Sequence, residues 1–144
     1  MISLSFPDVN VWLALAASEH VHAAAARRWW DWETNRIVFC RFTQMGFLRL
    51  MTTAATMDGK PLTMRAAWPV YDRLFEDDRV GFVTEPPEVE THFRKYAAGR
   101  AASPKLWADA WLLALAQVTP GTLVTFDRAL AARGGHCLLP EHST

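Results

Sequence analysis

The chain has 144 residues, 51% of them hydrophobic and 21% charged, and its formal net charge is zero. This length and composition predict one globular domain over residues 1–144, and the neutral balance means that any basic surface for nucleic acid has to be local. Cys40 and Cys137 lack the spacing of a zinc site or disulfide scaffold. No cationic segment precedes the first apolar residues, as it would in a signal peptide, and no apolar run is long enough to cross a membrane. We therefore expect a cytoplasmic protein.

The periodicity of the apolar residues predicts strands that alternate with helices along the chain. The predicted strands cover residues 2–6, 36–40, 80–86, 122–126 and 136–140. The predicted helices cover about residues 9–17, 20–33, 64–76 and 88–98, with further helices from about Thr43, from Pro104 and in "DRALAARGG". This alternation predicts an α/β fold, a three-layer α/β/α sandwich with a mostly parallel central sheet.

Capping residues indicate where three of these helices begin. Ser18 precedes the second helix and Thr63 the fourth. Ser103 followed by Pro104 is a strong start signal, because a serine hydroxyl accepts free N–H groups and proline is favoured at the first helical position. We therefore expect the helix that carries "LWADAWLLALAQ" to begin at Pro104.

Three aspartates stand out by their positions. Asp8 follows the first predicted strand and Asp127 follows the strand at 122–126, so both are expected at the carboxyl edge of the sheet, where sites lie. Asp109 lies in an almost entirely apolar helix, six residues after Ser103 and beyond the first turn. There it neither caps the helix nor gains much from the helix dipole, and an unpaired carboxylate costs on the order of several kcal/mol.

Each aspartate also has a purely structural interpretation. Asp8 and Asp127 would be helix N-caps, and Asp109 would form a surface ion pair with Lys105, although its apolar neighbours leave little polar surface for that pair. Three converging carboxylates would instead repel one another unless a cation lay between them, and oxygen-only ligands suit Mg²⁺ or Mn²⁺. The corresponding chemistry is metal-dependent cleavage of a phosphodiester.

Three motifs in a fixed order carry a family resemblance: "PDVNVWLAL", "WADAWLLALA" and "LVTFDRAL", with "FTQMGFLRLMT" and "HVHAAAARRWW" in support. Over nearly the whole chain they resemble the PIN domain, and more closely the VapC ribonuclease toxins of bacterial toxin–antitoxin pairs, in a mycobacterial-type branch. The resemblance implies a PIN-like fold whose catalytic, metal-binding acids are Asp8, Asp109 and Asp127. It places Asn10 and Thr125 among the small polar residues near the metal.

The resemblance also implies a function. The protein would be a Mg²⁺- or Mn²⁺-dependent endoribonuclease, the toxin of a type II toxin–antitoxin pair, which cleaves RNA by metal-activated water without a covalent intermediate. Its substrate would be structured RNA such as tRNA or rRNA. Its partner would be a VapB-like antitoxin whose tail lies in the groove near the metal. The abundance of tryptophan suggests a homodimer.

One position departs from the family pattern. The family usually has a glutamate at the start of an E-x-x-R-like segment on the third helix, where this chain has "GFLR", so Gly46 falls where the acid is expected. Gln44 offers a neutral oxygen nearby but is expected to be an exposed helix residue. A second hypothesis is therefore a catalytically weakened module that binds RNA or protein. A third, a phosphotransfer domain, is disfavoured because haloacid-dehalogenase-like phosphatases need an aspartate where Asn10 stands.

Aromatic and basic residues give less specific signals. Trp29, Trp30 and Trp32 lie on one predicted helix, which favours core or interface roles over stacking on bases. His20 and His22 have no partners at metal-ligand spacing. The candidate contacts to RNA or antitoxin, which the sequence does not rank, are Arg27, Arg28, Arg41, Arg49, Arg94, Arg100 and Arg128.

Overall fold

The computed structural model of the protein describes residues 3–139, and this range contains five strands and seven α-helices. The strands are β1 (Leu4–Pro7), β2 (Arg36–Phe39), β3 (Val80–Phe82), β4 (Gly121–Thr125) and β5 (Gly135–Cys137). The helices are α1 (Val9–Ala16), α2 (Ala23–Trp32), α3 (Arg41–Met51), α4 (Met64–Leu74), α5 (Val89–Tyr96), α6 (Leu106–Val118) and α7 (Arg128–Ala132), with a single 3-10 turn at Ala54–Thr56. Each predicted strand and helix is present, although Ile2 and Pro140 lie outside the described residues.

The five strands form one sheet in the order β3-β2-β1-β4-β5, and all four pairings are parallel. The chain builds outward from β1 to β3 and then returns to the other side of β1 for β4. The strand order therefore reverses between β1 and β4. In open α/β sheets, ligands bind at such a switch point, in the crevice beyond the carboxyl ends of the strands.

A hydrophobic core lies on each face of the sheet, because successive side chains of a strand point to opposite faces. In β2, Ile37 and Phe39 belong to the core formed with α1 to α4, whereas Val38 belongs to the core formed with α5, α6 and α7. In β4, Val124 and Leu123 are divided between the two cores in the same way. The predicted three-layer α/β/α sandwich with its parallel sheet is confirmed.

Aromatic residues fill the core on the α1–α4 face. Trp12 is fully buried and stacks on Phe39 with 3.8 Å between ring centroids, and Trp30 meets Trp12 edge-on. Trp29 is also buried, so Trp29 and Trp30 have the predicted core role. Trp32, at the end of α2, is 82% exposed and belongs to the surface.

Of the predicted helix caps, Thr63 is confirmed and Ser18 is not. Thr63 caps α4 as predicted, because its Oγ1 accepts the N–H of Ala66 at 3.1 Å. Ser18 does not cap α2, so this prediction was wrong. The chain makes turns between α1 and α2, and His22 occupies the N-cap position without a side-chain hydrogen bond.

The predicted start of α6 was also wrong. The backbone carbonyl of Ser103, rather than its hydroxyl, accepts the Leu106 N–H at 3.0 Å, which forms a turn before the helix. The helix begins at Leu106, and Asp109 consequently lies in its first turn. Contrary to the prediction, the helix dipole therefore favours the Asp109 carboxylate. Among the helices of the described range, α6 included, none is both long and apolar enough to cross a membrane.

Candidate metal centre

Asp8 and Asp127 lie at the carboxyl ends of two neighbouring parallel strands. β1 pairs directly with β4, with Pro7 opposite Val124, and the backbone N–H of Asp8 donates to the Val124 carbonyl at 2.8 Å. Each strand ends where a helix begins, so Asp8 is the N-cap of α1 and Asp127 the N-cap of α7. Both aspartates are thus at the sheet edge that the sequence predicted.

The structural interpretation of these two aspartates as caps is correct. Asp8 Oδ1 accepts the Val9 N–H at 2.7 Å, and Asp127 Oδ1 accepts the Leu130 N–H at 3.1 Å. Capping does not exclude a second role, because an ionised carboxylate has about four lone-pair sites on its two oxygens. Each carboxylate can therefore accept its capping bond and still bind a cation.

Thr125 connects the two strand-end aspartates. Its hydroxyl donates to Asp8 Oδ2 at 3.2 Å and accepts the backbone N–H of Asp127 at 3.0 Å. Thr125 is only 1% exposed, so water does not compete for this hydroxyl. The predicted closeness of Thr125 to the acids is therefore observed, whereas Asn10 is exposed on α1.

The negative charges of Asp8 and Asp127 act on the carboxyl group of Asp109. Partial burial raises its pKa most, the negative charges of Asp8 and Asp127 raise it further, and the positive charge of Arg133 opposes the rise. The pKa of Asp8 is raised as well, chiefly by burial, against the lowering effect of its hydrogen bonds and with a further rise from Asp127. The negative charges of Asp8, Asp109 and Asp127 therefore act on one another, and we call these three residues the carboxylate cluster.

A local ion pair does not account for Asp109. Salt bridges within residues 3–139 join Arg79 to Asp77 and Arg94 to Glu90, and neither pair involves Asp109 or Lys105. Lys105 is exposed and stands at the N-cap position of α6. The alternative interpretation of Asp109 as the partner of Lys105 therefore has no support in the structure.

The donor set suits a hard divalent cation. Three carboxylates supply only oxygen ligands, which Mg²⁺ and Mn²⁺ favour, and a cation among them would offset the repulsion that raises the pKa of Asp109. As the side chains of residues 3–139 lie, no three of His, Cys, Asp or Glu are arranged to hold an ion. Joint ligation by the three aspartates therefore requires some movement of their side chains. The residues fit the cation by chemistry and charge.

Gly46 has a packing role in the structure. A Cβ atom at this position would lie 2.7 Å from Cγ2 of Val9, well inside van der Waals contact. Gly46 therefore allows α3 to approach the start of α1, directly beside Asp8. An acid at this position would require the Val9 side chain to shift.

Gln44 is buried, so the prediction that it is an exposed helix residue was wrong. The reason is that Gln44 lies on the buried face of α3, together with Phe47 and Met51. The Gln44 amide oxygen accepts a hydrogen bond from the Arg41 guanidinium. A second hydrogen bond, between Gln44 and Tyr71, lowers the Tyr71 pKa against the larger rise caused by burial.

Sequence reasoning missed Arg133. This residue follows the last turn of α7, the short helix that Asp127 begins, and its charge acts on Asp109. The shortness of α7 was the available signal, because both ends of a five-residue helix lie close to the same site.

Of the arginines proposed from the sequence as contacts to RNA or antitoxin, Arg41 stacks over the ring of Phe82, with 4.9 Å between its guanidinium carbon and the ring centroid.

Comparisons with known proteins agree with this geometry. The PIN domain family model matches residues 5–135. Ribonuclease VapC41 of Mycobacterium tuberculosis is 41% identical over 134 residues, which cover 89% of this chain and 92% of VapC41. Ribonuclease VapC44 of the same organism is 32% identical over 125 residues, which cover 86% of each protein.

A solved structure has the same fold. The crystal structure of Mycobacterium tuberculosis VapC20, described as a Sarcin-Ricin loop cleaving toxin, matches with a TM-score of 0.67 at 14% identity. The match covers 91% of this chain and 95% of VapC20. At this level of identity the structural match establishes the fold alone, and the family follows from the sequence comparisons. The chain belongs to the PIN domain family and, within it, to the VapC ribonucleases.

Proposed function

We propose that this protein is a Mg²⁺- or Mn²⁺-dependent endoribonuclease that acts as the toxin of a type II toxin–antitoxin pair. The observation that carries the proposal is the carboxylate cluster at the switch point of the sheet. Asp8 and Asp127 are linked there through Thr125, and the charges of both act on Asp109. The relatives named as ribonucleases support RNA as the substrate.

Asp8, Asp109 and Asp127 are the proposed metal ligands and catalytic residues. A bound cation would polarise the phosphodiester and lower the pKa of an attacking water. Thr125 would hold Asp8 in one orientation, as residues behind metal ligands commonly do. The positive charge of Arg133 beside Asp109 would favour the approach of the phosphate.

The proposed partners are a structured RNA, such as tRNA or rRNA, and a VapB-like antitoxin in the cytoplasm, with the protein as a homodimer. An apolar cleft between α3 and α4 supports a protein partner. Met45, Met64 and Trp68 line this cleft and are 61%, 74% and 49% exposed. Large exposed apolar surfaces of this kind commonly mark protein interfaces.

Cleavage of a tRNA and rRNA mixture in Mn²⁺ tests the proposal. Asp8→Asn and Asp109→Asn should reduce cleavage to background, because each removes an anionic ligand at nearly constant volume. Asp31→Asn, which changes an exposed aspartate on α2, is the matched control and should cleave like wild type. Equal activity in all four proteins would overturn the assignment of the site.

A catalytically weakened PIN-like module that binds RNA or protein is the second candidate. Two observations favour it: Gly46 stands where the family has a glutamate and packs closely against Val9, and Gln44 supplies only an amide. This candidate predicts that Mn²⁺ leaves the melting temperature of the wild-type protein unchanged. The ribonuclease proposal predicts that Mn²⁺ raises it, because a ligand that binds only the folded state stabilises that state.

A further inference from the structure

Three rings pack together beside the carboxylate cluster. Phe126 lies between Thr125 and Asp127 at the end of β4, whereas His20 and His22 belong to the connection between α1 and α2. The centroid of the His22 ring is 4.7 Å from that of Phe126, and the His20 ring is nearly parallel to Phe126 at 6.2 Å and 21°. Both imidazoles are therefore held at the same edge of the sheet as Asp127.

A hydrogen bond sets which nitrogen of the neutral His20 ring carries the proton. The backbone N–H of His22 donates to Nδ1 of His20 at 3.0 Å. A ring nitrogen that accepts a hydrogen bond carries no proton, so the proton of the neutral imidazole is on Nε2. Partial burial and then the neighbouring His22 lower the pKa of His20, which favours this neutral form. His20 thus provides an N–H donor at Nε2.

The three rings remain partly accessible. His20, His22 and Phe126 are all partly exposed, although Phe126 also packs against the core on the α1–α4 face. Partly exposed aromatic rings beside a phosphate-cleaving centre are suited to stack on the unpaired bases of single-stranded nucleic acid.

We propose that His20, His22 and Phe126 form a binding site for an unpaired nucleotide of the RNA substrate, next to the phosphate that is cleaved. The base stacks on the imidazole surface, and Nε2 of His20 donates a hydrogen bond to it. This inference rests on the proposed ribonuclease function. It assigns the two histidines to substrate binding rather than to metal ligation.

Binding of a fluorescein-labelled single-stranded RNA, measured by fluorescence anisotropy in EDTA, tests the site without cleavage. His22→Ala and Phe126→Leu should each raise the dissociation constant roughly tenfold, as expected for loss of one stacked base. In Mn²⁺, the same variants should raise KM with little change in kcat. Phe126→Tyr should bind like wild type, because it keeps the ring.

His92→Ala is the matched control, because His92 lies on α5, which packs on the opposite face of the sheet. Wild-type affinity in folded His22→Ala and Phe126→Leu proteins would overturn the inference, and so would a wild-type protein that binds no RNA. A purely structural role would lower the melting temperature and leave the affinity of the folded protein unchanged. Wild-type protein that binds RNA but cleaves none in Mn²⁺ would overturn the proposed function. The RNA affinities of the variants in EDTA would still decide whether the stacking site exists.

Discussion

The hydroxyl of Thr125 donates a hydrogen bond of 3.2 Å to Oδ2 of Asp8, across the boundary between β4 and β1. The other carboxylate oxygen, Oδ1, accepts the Val9 N–H at 2.7 Å. Both oxygens of Asp8 are therefore held by the protein, one by its own helix and the other by a neighbouring strand. These two hydrogen bonds restrain the orientation of the Asp8 carboxylate.

Thr125→Val is expected to disturb both the fold and the metal site. The substitution keeps the shape of the side chain but leaves Asp8 Oδ2 and the Asp127 N–H without their shared partner. The free energy of unfolding should fall by about 1–3 kcal/mol, the cost of an unsatisfied buried polar group. Mn²⁺ affinity should fall roughly 10–100-fold, as is typical when a residue that orients a metal ligand is lost.

Thr125→Ser provides the control, because it retains the hydroxyl. Urea denaturation gives the stability of each variant, and calorimetric titration with Mn²⁺ gives the affinity. Equal Mn²⁺ binding by the valine and serine variants would mean that the hydroxyl does not orient Asp8.

Asp109→Asn is expected to stabilise the metal-free protein at neutral pH. Burial and the charges of Asp8 and Asp127 raise the pKa of Asp109 above its ordinary value of 3.8. The folded protein therefore binds this proton more tightly than the unfolded chain does, and its stability falls as pH rises from about 3.8 through the raised pKa. In EDTA, the variant should melt at a higher temperature than wild type above that range, and the difference should vanish below it.

Lys105→Ala is the control for this pH dependence. Because Lys105 forms no salt bridge within residues 3–139, its loss should leave the melting temperature unchanged at every pH tested. An Asp109→Asn protein that melts below wild type in EDTA at pH 7 would show that the carboxylate has a stabilising partner instead.

Thr63 and Ser103, which the sequence predicted as helix caps, should respond differently to alanine. Thr63→Ala removes the hydroxyl that accepts the Ala66 N–H, and should cost about 1 kcal/mol in urea denaturation. Ser103→Ala should change stability by less than about 0.5 kcal/mol, because the Ser103 backbone carbonyl forms the turn before α6. A comparable cost at both positions would contradict the observed start of α6.

Asp8 and Asp127 could be placed from the sequence because local patterns define where a strand ends. The carboxyl ends of parallel strands share one edge, so two residues that follow strands are brought together by the topology alone. The start of α6 could not be placed in this way. A serine followed by a proline fits both a helix start and a turn, and the choice between them depends on tertiary packing.

Packing between helices was likewise hidden from local patterns. The burial of Gln44 depends on which face of α3 meets α1 and α4, and the need for Gly46 depends on the distance between two helices. The contact of His22 with Phe126 joins segments that are far apart in the chain. Each of these features arises only when the sheet brings distant helices and loops to one place.

Gly46→Glu, which introduces an acid where the family pattern has one, is expected to destabilise the protein rather than add a metal ligand. The first side-chain atom would lie 2.7 Å from Cγ2 and 3.2 Å from Cγ1 of Val9, and a β-branched valine has little freedom to turn away. Overpacking of this kind costs about 1–3 kcal/mol, which exceeds the gain of up to about 1 kcal/mol from replacing a helical glycine.

Met45→Glu, at the neighbouring 61% exposed position, is the matched control and should change stability little. Urea denaturation compares the two variants, and Mn²⁺ titration asks whether either gains affinity. Tighter Mn²⁺ binding by a Gly46→Glu protein of wild-type stability would mean that α3 can supply a fourth acid. The metal site would then have a position for a fourth acid, and the three aspartates would be only part of it.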